Sequence, residues 1–286
     1  MKILHKVLNA LLVVVFLVGA CIFFYPTVKE DIAAHTRADK IKNFEEDELF
    51  AASMVQDPLH EQMAAYNEQI YQEHQIGMSD AWNDGAEAFD YGDTGFEDRM
   101  VGYVSIASMD VKIPLYVGAD DKTLYDGAAV LAHTSMPIGG ENTNCVIAAH
   151  RGGYEGTAMF RDIEKLQVGD SVKVTNLWET LEYRVVKTIV IEPDDLDAIK
   201  IIPGKDLVTL VTCHPYGTNA QRYIVYCQRV ASDTEPVVIP FDGVQYVSSA
   251  KEIAAEDVIR LGGCSIIAGV MLIVAVIWIV KMFVKK

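Results

Sequence analysis

Two apolar stretches, one at each end of the chain, restrict the possible architecture more than any other feature. Ile3 to Tyr25 reads ILHKVLNALLVVVFLVGACIFFY, and its uninterrupted part from Leu8 runs about 18 residues. Leu261 to Val280 reads LGGCSIIAGVMLIVAVIWIV, about 20 residues without a charge. A bilayer core of roughly 30 Å asks for helices of about this length. Membrane helices are therefore expected over 1–25 and 261–283. Lys2 and Lys6 precede the first, Lys281, Lys285 and Lys286 follow the second, and Glu30 and Asp31 come directly after the first. Basic flanks mark the cytoplasmic side, so both termini are expected in the cytoplasm and residues 26–260 outside it. A cleaved signal peptide would share the basic start and apolar run, but no small-x-small site precedes a polar mature start. Lipoprotein processing at Cys21 fits less well than a continuing helix, because Ile22, Phe23, Phe24 and Tyr25 prolong the apolar run.

What lies between the two stretches is acidic. The 286 residues hold 24 Lys and Arg against 40 Asp and Glu. Five of the basic residues sit at the extreme ends, which leaves 19 against 40, a net charge of −21, between residues 29 and 260. Such a body repels a phosphate backbone, which excludes nucleic acid as a partner. With 51% hydrophobic and 22% charged residues the chain can build a packed core. Its five cysteines (21, 145, 213, 227 and 264) form no CxxC pair and are too scattered for a disulfide framework or a structural zinc site. The acidic residues lack the spacing of a calcium-binding EF-hand loop. No metal and no cofactor is expected.

Asp57-Pro58 has the form of an N-cap followed by proline at the first helical position, and Leu59, Met63, Tyr66 and Ile70 recur at helical spacing. An amphipathic helix ending near Gly77 is expected. The acidic run Glu45-Glu46-Asp47-Glu48 upstream reads as a solvated helix face. Residues 78–98 (MSDAWNDGAEAFDYGDTGFED) have no periodicity and read as a long loop of the kind that serves as a lid. After Arg99 come short β-type runs separated by turns: VGYVSI, VKIPLYVG, NCVIAAH, DSVKVTNLW, EYRVVKTIVI, DLVTLVTC and RYIVYCQRV. They predict a mainly β domain of about 135 residues, a barrel or a sandwich, over 99–232. A polar tether with one short helix is expected over 233–260.

The last two runs carry the chemistry. Pro215, Gly217 and Asn219 make the segment between them a loop. If the runs pair as a hairpin, Cys213 and Arg222 face each other roughly 5 Å apart at Cβ. A thiol beside a fixed cation is expected to have a lowered pKa, and the same cation can later hold an oxyanion. Proton transfer needs a third group. His214 adjoins Cys213, but neighbouring strand residues point to opposite faces. His133 and His150 remain, and His150 is favoured because it ends the apolar run Cys145–Ala149 and opens into Arg151-Gly152-Gly153. Parity turns Cys145 and Cys227 away from these groups and into the core, while Arg151 either supports the loop or meets solvent.

Thr209-Leu210-Val211-Thr212-Cys213 with Arg222 nine residues on resembles the sortase signature TLxTC and its downstream arginine. Asn142 to Gly152, through Ala148-Ala149-His150, is similar to the family's strand and histidine motif, and Gly102–Ile106 and Thr134–Gly140 resemble two further sortase blocks. The resemblance covers about 99–231. It implies a closed β-barrel of about eight strands and a transpeptidase site with Cys213 as nucleophile, His150 as general acid and base, and Arg222 as the substrate-orienting cation. The implied substrate is a surface-protein sorting signal like Leu-Pro-x-Thr-Gly, cleaved between Thr and Gly, with the acyl group passed to an amine. The membrane segments, the helical extension over 26–98 and the long loop resemble class C, the pilin-polymerising sortases. The amine would then be a Lys of another pilin, or a cell-wall precursor in other sortase classes. A Gram-positive cell membrane is the implied location, with the catalytic domain outside. Class C enzymes carry a lid with an Asp-Pro-aromatic motif. Asp80-Ala81-Trp82 is similar, with alanine in place of the stiffer proline, so Asp80 is expected to pair with Arg222 and Trp82 to cover Cys213. Asp57-Pro58-Leu59 matches the motif by spelling but opens the helix. Competing readings are a cysteine endopeptidase, which uses water as acceptor, and a tethered adhesion domain without activity.

Overall fold

A computed structural model describes residues 2–51, 58–82, 100–152, 159–230 and 237–284. The chain divides into two compact units, Met1–Ile32 with Ser249–Lys286, and Ala33–Ser248.

The first unit is helical. Helix α1 (Lys2–Ala51) begins in it, and α4 (Ala250–Val284) completes it. The Phe23 ring occupies the space that Gly263 leaves open, where a Cβ would stand 2.2 Å from the ring. Among the described residues one stretch, Val13–Glu46, has the length and mean hydropathy (1.7) to cross a membrane. α1 continues past residue 25 through Pro26, whose missing N–H costs one backbone bond without ending the helix. α4 starts at Ala250, so the last part of the expected tether is already helical.

The second unit is a closed barrel of eight strands in the order β1-β2-β3-β4-β7-β8-β6-β5. The strands are β1 (Met100–Ile106), β2 (Val111–Val117), β3 (Ala128–Val130), β4 (Thr143–Ala148), β5 (Ser171–Asn176), β6 (Thr180–Ile191), β7 (Asp206–His214) and β8 (Gln221–Arg229). The barrel alternative of the sequence pattern is the one adopted, and closure leaves no sheet edge open. The pairing is mixed: β2 with β3 and β4 with β7 run parallel, and the other neighbours are antiparallel. Seven strands coincide with the expected runs. The three-residue β3 was not among them, because Ala-Ala-Val is too short to display a period.

Alternation along the strands separates two hydrophobic clusters. Val104, Leu115, Ile147, Val174, Leu210 and Val225 fill the barrel, whereas Val146, Ala148, Val211, Ile224 and Tyr226 belong to the opposite face. That outer cluster is covered by Ile41 of α1 and Leu124 of the short helix α3 (Asp121–Asp126). Glu45 is more than a solvated residue, since its carboxylate accepts from Lys112 Nζ on β2 at 2.6 Å. The expected amphipathic helix is α2 (Pro58–Gln72), with Leu59, Met63, Asn67 and Ile70 buried. Tyr66 stays half-buried, and Asp57 lies outside the described residues. Asn67 fastens α2 by accepting from the Met136 N–H at 2.6 Å. At the end of the following turn, Gly77 adopts φ +94 directly beneath the His133 ring, a place that only glycine fills without strain. This turn leads to Asp80.

Candidate active site

The hairpin β7–β8 forms with Cys213 paired to Arg222. Both alternate with the outer-face residues Val211 and Ile224, so both lie on the outside of the barrel wall. The parallel ladder β4–β7 ends with Ala148 opposite Val211, where the Ala149 N–H still donates to the Val211 carbonyl at 3.2 Å; that register, continued two residues, brings His150 level with Cys213. In-register residues of parallel strands point the same way. Cys213, Arg222 and His150 therefore converge on one face. His133 takes no part: its ring packs over Gly77.

The two threonines of Thr209-Leu210-Val211-Thr212-Cys213 explain why this register holds. Thr212 Oγ1 donates to the Ala149 carbonyl at 2.7 Å, just before His150. Thr209 Oγ1 donates to Asn144 Oδ1 at 2.8 Å, and Asn144 Nδ2 donates to the Ile199 carbonyl at 2.9 Å. Both threonines are fully buried, so each hydroxyl needs its partner. Sequence patterning identified the cysteine and missed the threonines' task, because their partners lie more than 60 residues away.

Asp80 and Trp82 also lie at this face. Arg222 Nε donates to Asp80 Oδ1 and Nη2 to Oδ2, both at 2.7 Å, a bidentate pair in which both side chains are more than nine-tenths buried. Arg222 Nη1 donates to the carbonyls of Asn219 and Gln221 at 3.0 and 2.9 Å. Every nitrogen of the guanidinium is engaged. The Trp82 ring stacks over it with 4.7 Å from Cζ to the ring centre, and lies 6.4 Å from the His150 ring. The remainder of the expected lid, 83–98, lies outside the described residues. Alanine at position 81 still permits the contact; Ala81 is itself buried against the outer cluster.

This cover reverses one expectation. Cys213 is only 7% exposed. Burial pushes its thiol up to about 11, and Asp80 adds to the rise, while Arg222 and Arg151 pull the other way. The neighbouring cation does favour the thiolate, but desolvation outweighs it and Asp80 offsets it. In this arrangement the thiol is protonated. Burial also lowers the pKa of His150, partly opposed by Asp121, so the imidazole is neutral. Cys145 and Cys227 lie in the barrel interior, as parity required, with thiols raised further still by burial.

A second polar group stands on the other side of the Cys213 strand. His214 is fully buried, and Arg151, expected in a loop or in solvent, is 2% exposed. Arg151 Nη1 donates to the Cys213 carbonyl at 3.3 Å and to His214 Nδ1 at 2.8 Å. Its Nη2 pairs with Glu164. Since Nδ1 accepts, the His214 ring is neutral with its proton on Nε2, in keeping with a pKa lowered by burial and by Arg151. Among the described residues no group of three or more His, Cys, Asp or Glu side chains is placed to hold a metal ion.

Residues 104–230 match the family model described as "Sortase domain", a span that contains Cys213, His150 and Arg222. The chain is similar to sortase C-1 of Streptococcus pneumoniae, with 32% identity over 68% of this chain and 98% of that one and a TM-score of 0.55. Sortase C from Clostridium perfringens SM101 is likewise 32% identical over 68% of this chain and 99% of its own, with a TM-score of 0.53. Sortase A of Bacillus anthracis is 27% identical over 167 residues, 58% of this chain and 77% of that protein.

Proposed function

The chain belongs to the sortase family of cysteine transpeptidases, and from that premise we propose that it is a membrane-anchored, pilin-polymerising enzyme of the class C kind. Its substrate is a sorting signal resembling Leu-Pro-x-Thr-Gly, and the acceptor amine is a Lys of another pilin subunit. Residues 1–25 and 261–283 anchor it in a Gram-positive cell membrane with both termini cytoplasmic. Residues 26–98 supply the extension and lid, 99–232 the catalytic barrel, and 233–260 the tether.

In the first half-reaction His150 takes the proton of Cys213, the thiolate Sγ attacks the Thr carbonyl carbon, and Arg222 stabilises the oxyanion. The C–N bond to Gly breaks, His150 gives a proton to the departing amine, and a thioester remains on Cys213. In the second half-reaction the incoming amine attacks the thioester carbonyl. His150 takes a proton from that amine and returns it to Cys213 Sγ as the C–S bond breaks, which releases an amide and restores the free thiol. Asp80 holds the Nε–Nη2 edge of Arg222 in a bidentate pair and its charge competes with an oxyanion, so Asp80 must leave before the first attack.

The observation that supports this assignment is the pairing of Cys213 with Arg222 across β7–β8, with Asp80 bonded to that arginine and the Trp82 ring lying near both it and the His150 ring. The similar solved structures of sortase C-1 from Streptococcus pneumoniae and sortase C from Clostridium perfringens support the class. The test incubates the full-length protein in detergent with an LPxTG peptide and an amine. A product joining the Thr carboxyl to the amine is expected, and Cys213→Ala should abolish it. Release of the free acid alone would overturn the transpeptidase reading in favour of an endopeptidase.

A further inference from the structure

We infer that Arg151 is a positioning residue for the reaction, and that the C-terminal segment Tyr246–Ser248 helps to hold it in place. The role rests on the transpeptidase reading above, but it comes from residues that this reading does not use.

Arg151 follows His150 directly, so its backbone belongs to the segment that carries the proton-transfer group. Its side chain crosses to the neighbouring strand and donates to the main-chain carbonyl of Cys213. One residue thus ties the imidazole-bearing segment to the nucleophile's backbone at the point where the β4–β7 ladder has ended. The guanidinium is 1% exposed, and because its Nε finds no hydrogen-bond partner among the described residues, the bonds from Nη1 and Nη2 are what hold it. His214 Nδ1 takes one bond and Glu164 Oε1 another. The second carboxylate oxygen, Oε2, accepts from the Tyr246 hydroxyl at 2.7 Å and from Ser248 Oγ at 3.0 Å. The Tyr246 ring stacks on His214, centroids 5.8 Å apart and 21° from parallel, and Tyr223 packs against both. A segment that reads in the sequence as a plain tether thereby closes a chain of contacts from Ser248 through Glu164 and Arg151 to Cys213.

A misplacement of about 1 Å between reacting groups costs on the order of a hundredfold in rate. Substrate binding does not depend on these buried contacts, so their loss should appear in kcat and spare KM. The guanidinium also favours the thiolate of Cys213, which gives a second readout.

The experiment compares full-length wild type, Arg151→Lys, Arg151→Met and the double variant Tyr246→Phe/Ser248→Ala, each normalised to correctly folded protein by circular dichroism and gel filtration. Expected for Arg151→Met is a fall in kcat of about 10–100-fold with KM within about twofold, and for Arg151→Lys a partial rescue. For the tail variant the expected fall in kcat is about threefold, again without a change in KM. The rate of Cys213 alkylation against pH, mapped by peptide mass, should shift to higher pH in Arg151→Met and return towards wild type in Arg151→Lys. If Arg151→Met does not fold, Arg151→Lys and the tail variant decide through the same readouts. Folded variants with wild-type kcat and an unmoved alkylation profile would overturn the inference, as would a loss confined to KM. Alkylation needs no substrate, so it tests Arg151 even if wild type yields no joined product, which is the separate failure of the transpeptidase reading.

Discussion

Cys213 stands between two buried guanidinium–carboxylate pairs of the same chemistry and opposite consequence. On the outer face Arg222 pairs with Asp80, which is 142 residues away in sequence. On the other side Arg151 pairs with Glu164, only 13 residues away, and Glu164 also accepts from Tyr246 and Ser248. The first carboxylate raises the Cys213 pKa and occupies the donors that an oxyanion needs. The second makes no bond to Arg222, and its own arginine donates to the Cys213 carbonyl. A buried ion pair can thus restrain a site or support it, and the deciding factor is whether its carboxylate competes with the reacting atoms.

If the outer pair is the one that opens, Arg222 must become available for chemistry, and Arg222→Ala should lower kcat by about 10²–10³-fold in the peptide–amine assay, the usual loss for an oxyanion donor. A loss below tenfold would remove Arg222 from the oxyanion role. If the rear pair is structural, Glu164→Ala strands a buried guanidinium and should cost about 3 kcal/mol in urea unfolding. Asp80→Ala should cost less by the same measurement, because Arg222 faces outward from the barrel and can regain water once the carboxylate is gone. Equal losses in the two variants would erase the distinction between the pairs. Asp80→Ala should also speed Cys213 alkylation at pH 8 by about tenfold, since removing the carboxylate lowers the thiol pKa and uncovers the sulfur. Glu164→Ala should not speed it.

The smallest effect is in pH. His150 and His214, one on each side of the strand, both have folded-state pKa values below the ordinary histidine value of about 6.5. The unfolded chain therefore binds more protons as the pH falls through that value. The stability contributed by the neutral rings is complete above about pH 6.5 and is lost progressively below it. Urea midpoints at pH 7.5 and pH 5 should differ in that direction. His214→Gln should shrink the difference, because its ring faces Arg151.

Much of this was legible in the sequence where the relation is local. Cys213 facing Arg222 follows from strand parity across a short loop, and His150 from an apolar run ending at Arg151-Gly152. Asp80 and Trp82 came from the resemblance, and their contact with Arg222 spans a distance that no periodicity reveals. The work of Thr209 and Thr212 depends on a parallel pairing with β4 that local pattern cannot specify. Arg151 beside two glycines has the appearance of a surface residue, yet it is buried because Glu164 and His214 meet it there. The thiol's raised pKa stayed hidden for a similar reason: a neighbouring arginine can be read from the hairpin, but burial and a competing carboxylate belong to the tertiary structure.

The central claim is that Cys213 is the nucleophile once Asp80 no longer holds Arg222. Its most direct test is intact and peptide mass spectrometry of full-length Asp80→Ala mixed with an LPxTG peptide and no amine. The account predicts an added mass equal to the acyl fragment ending in Thr, located on Cys213 and removed by hydroxylamine. No adduct, or one carried by Cys21, Cys145, Cys227 or Cys264 instead, would contradict it.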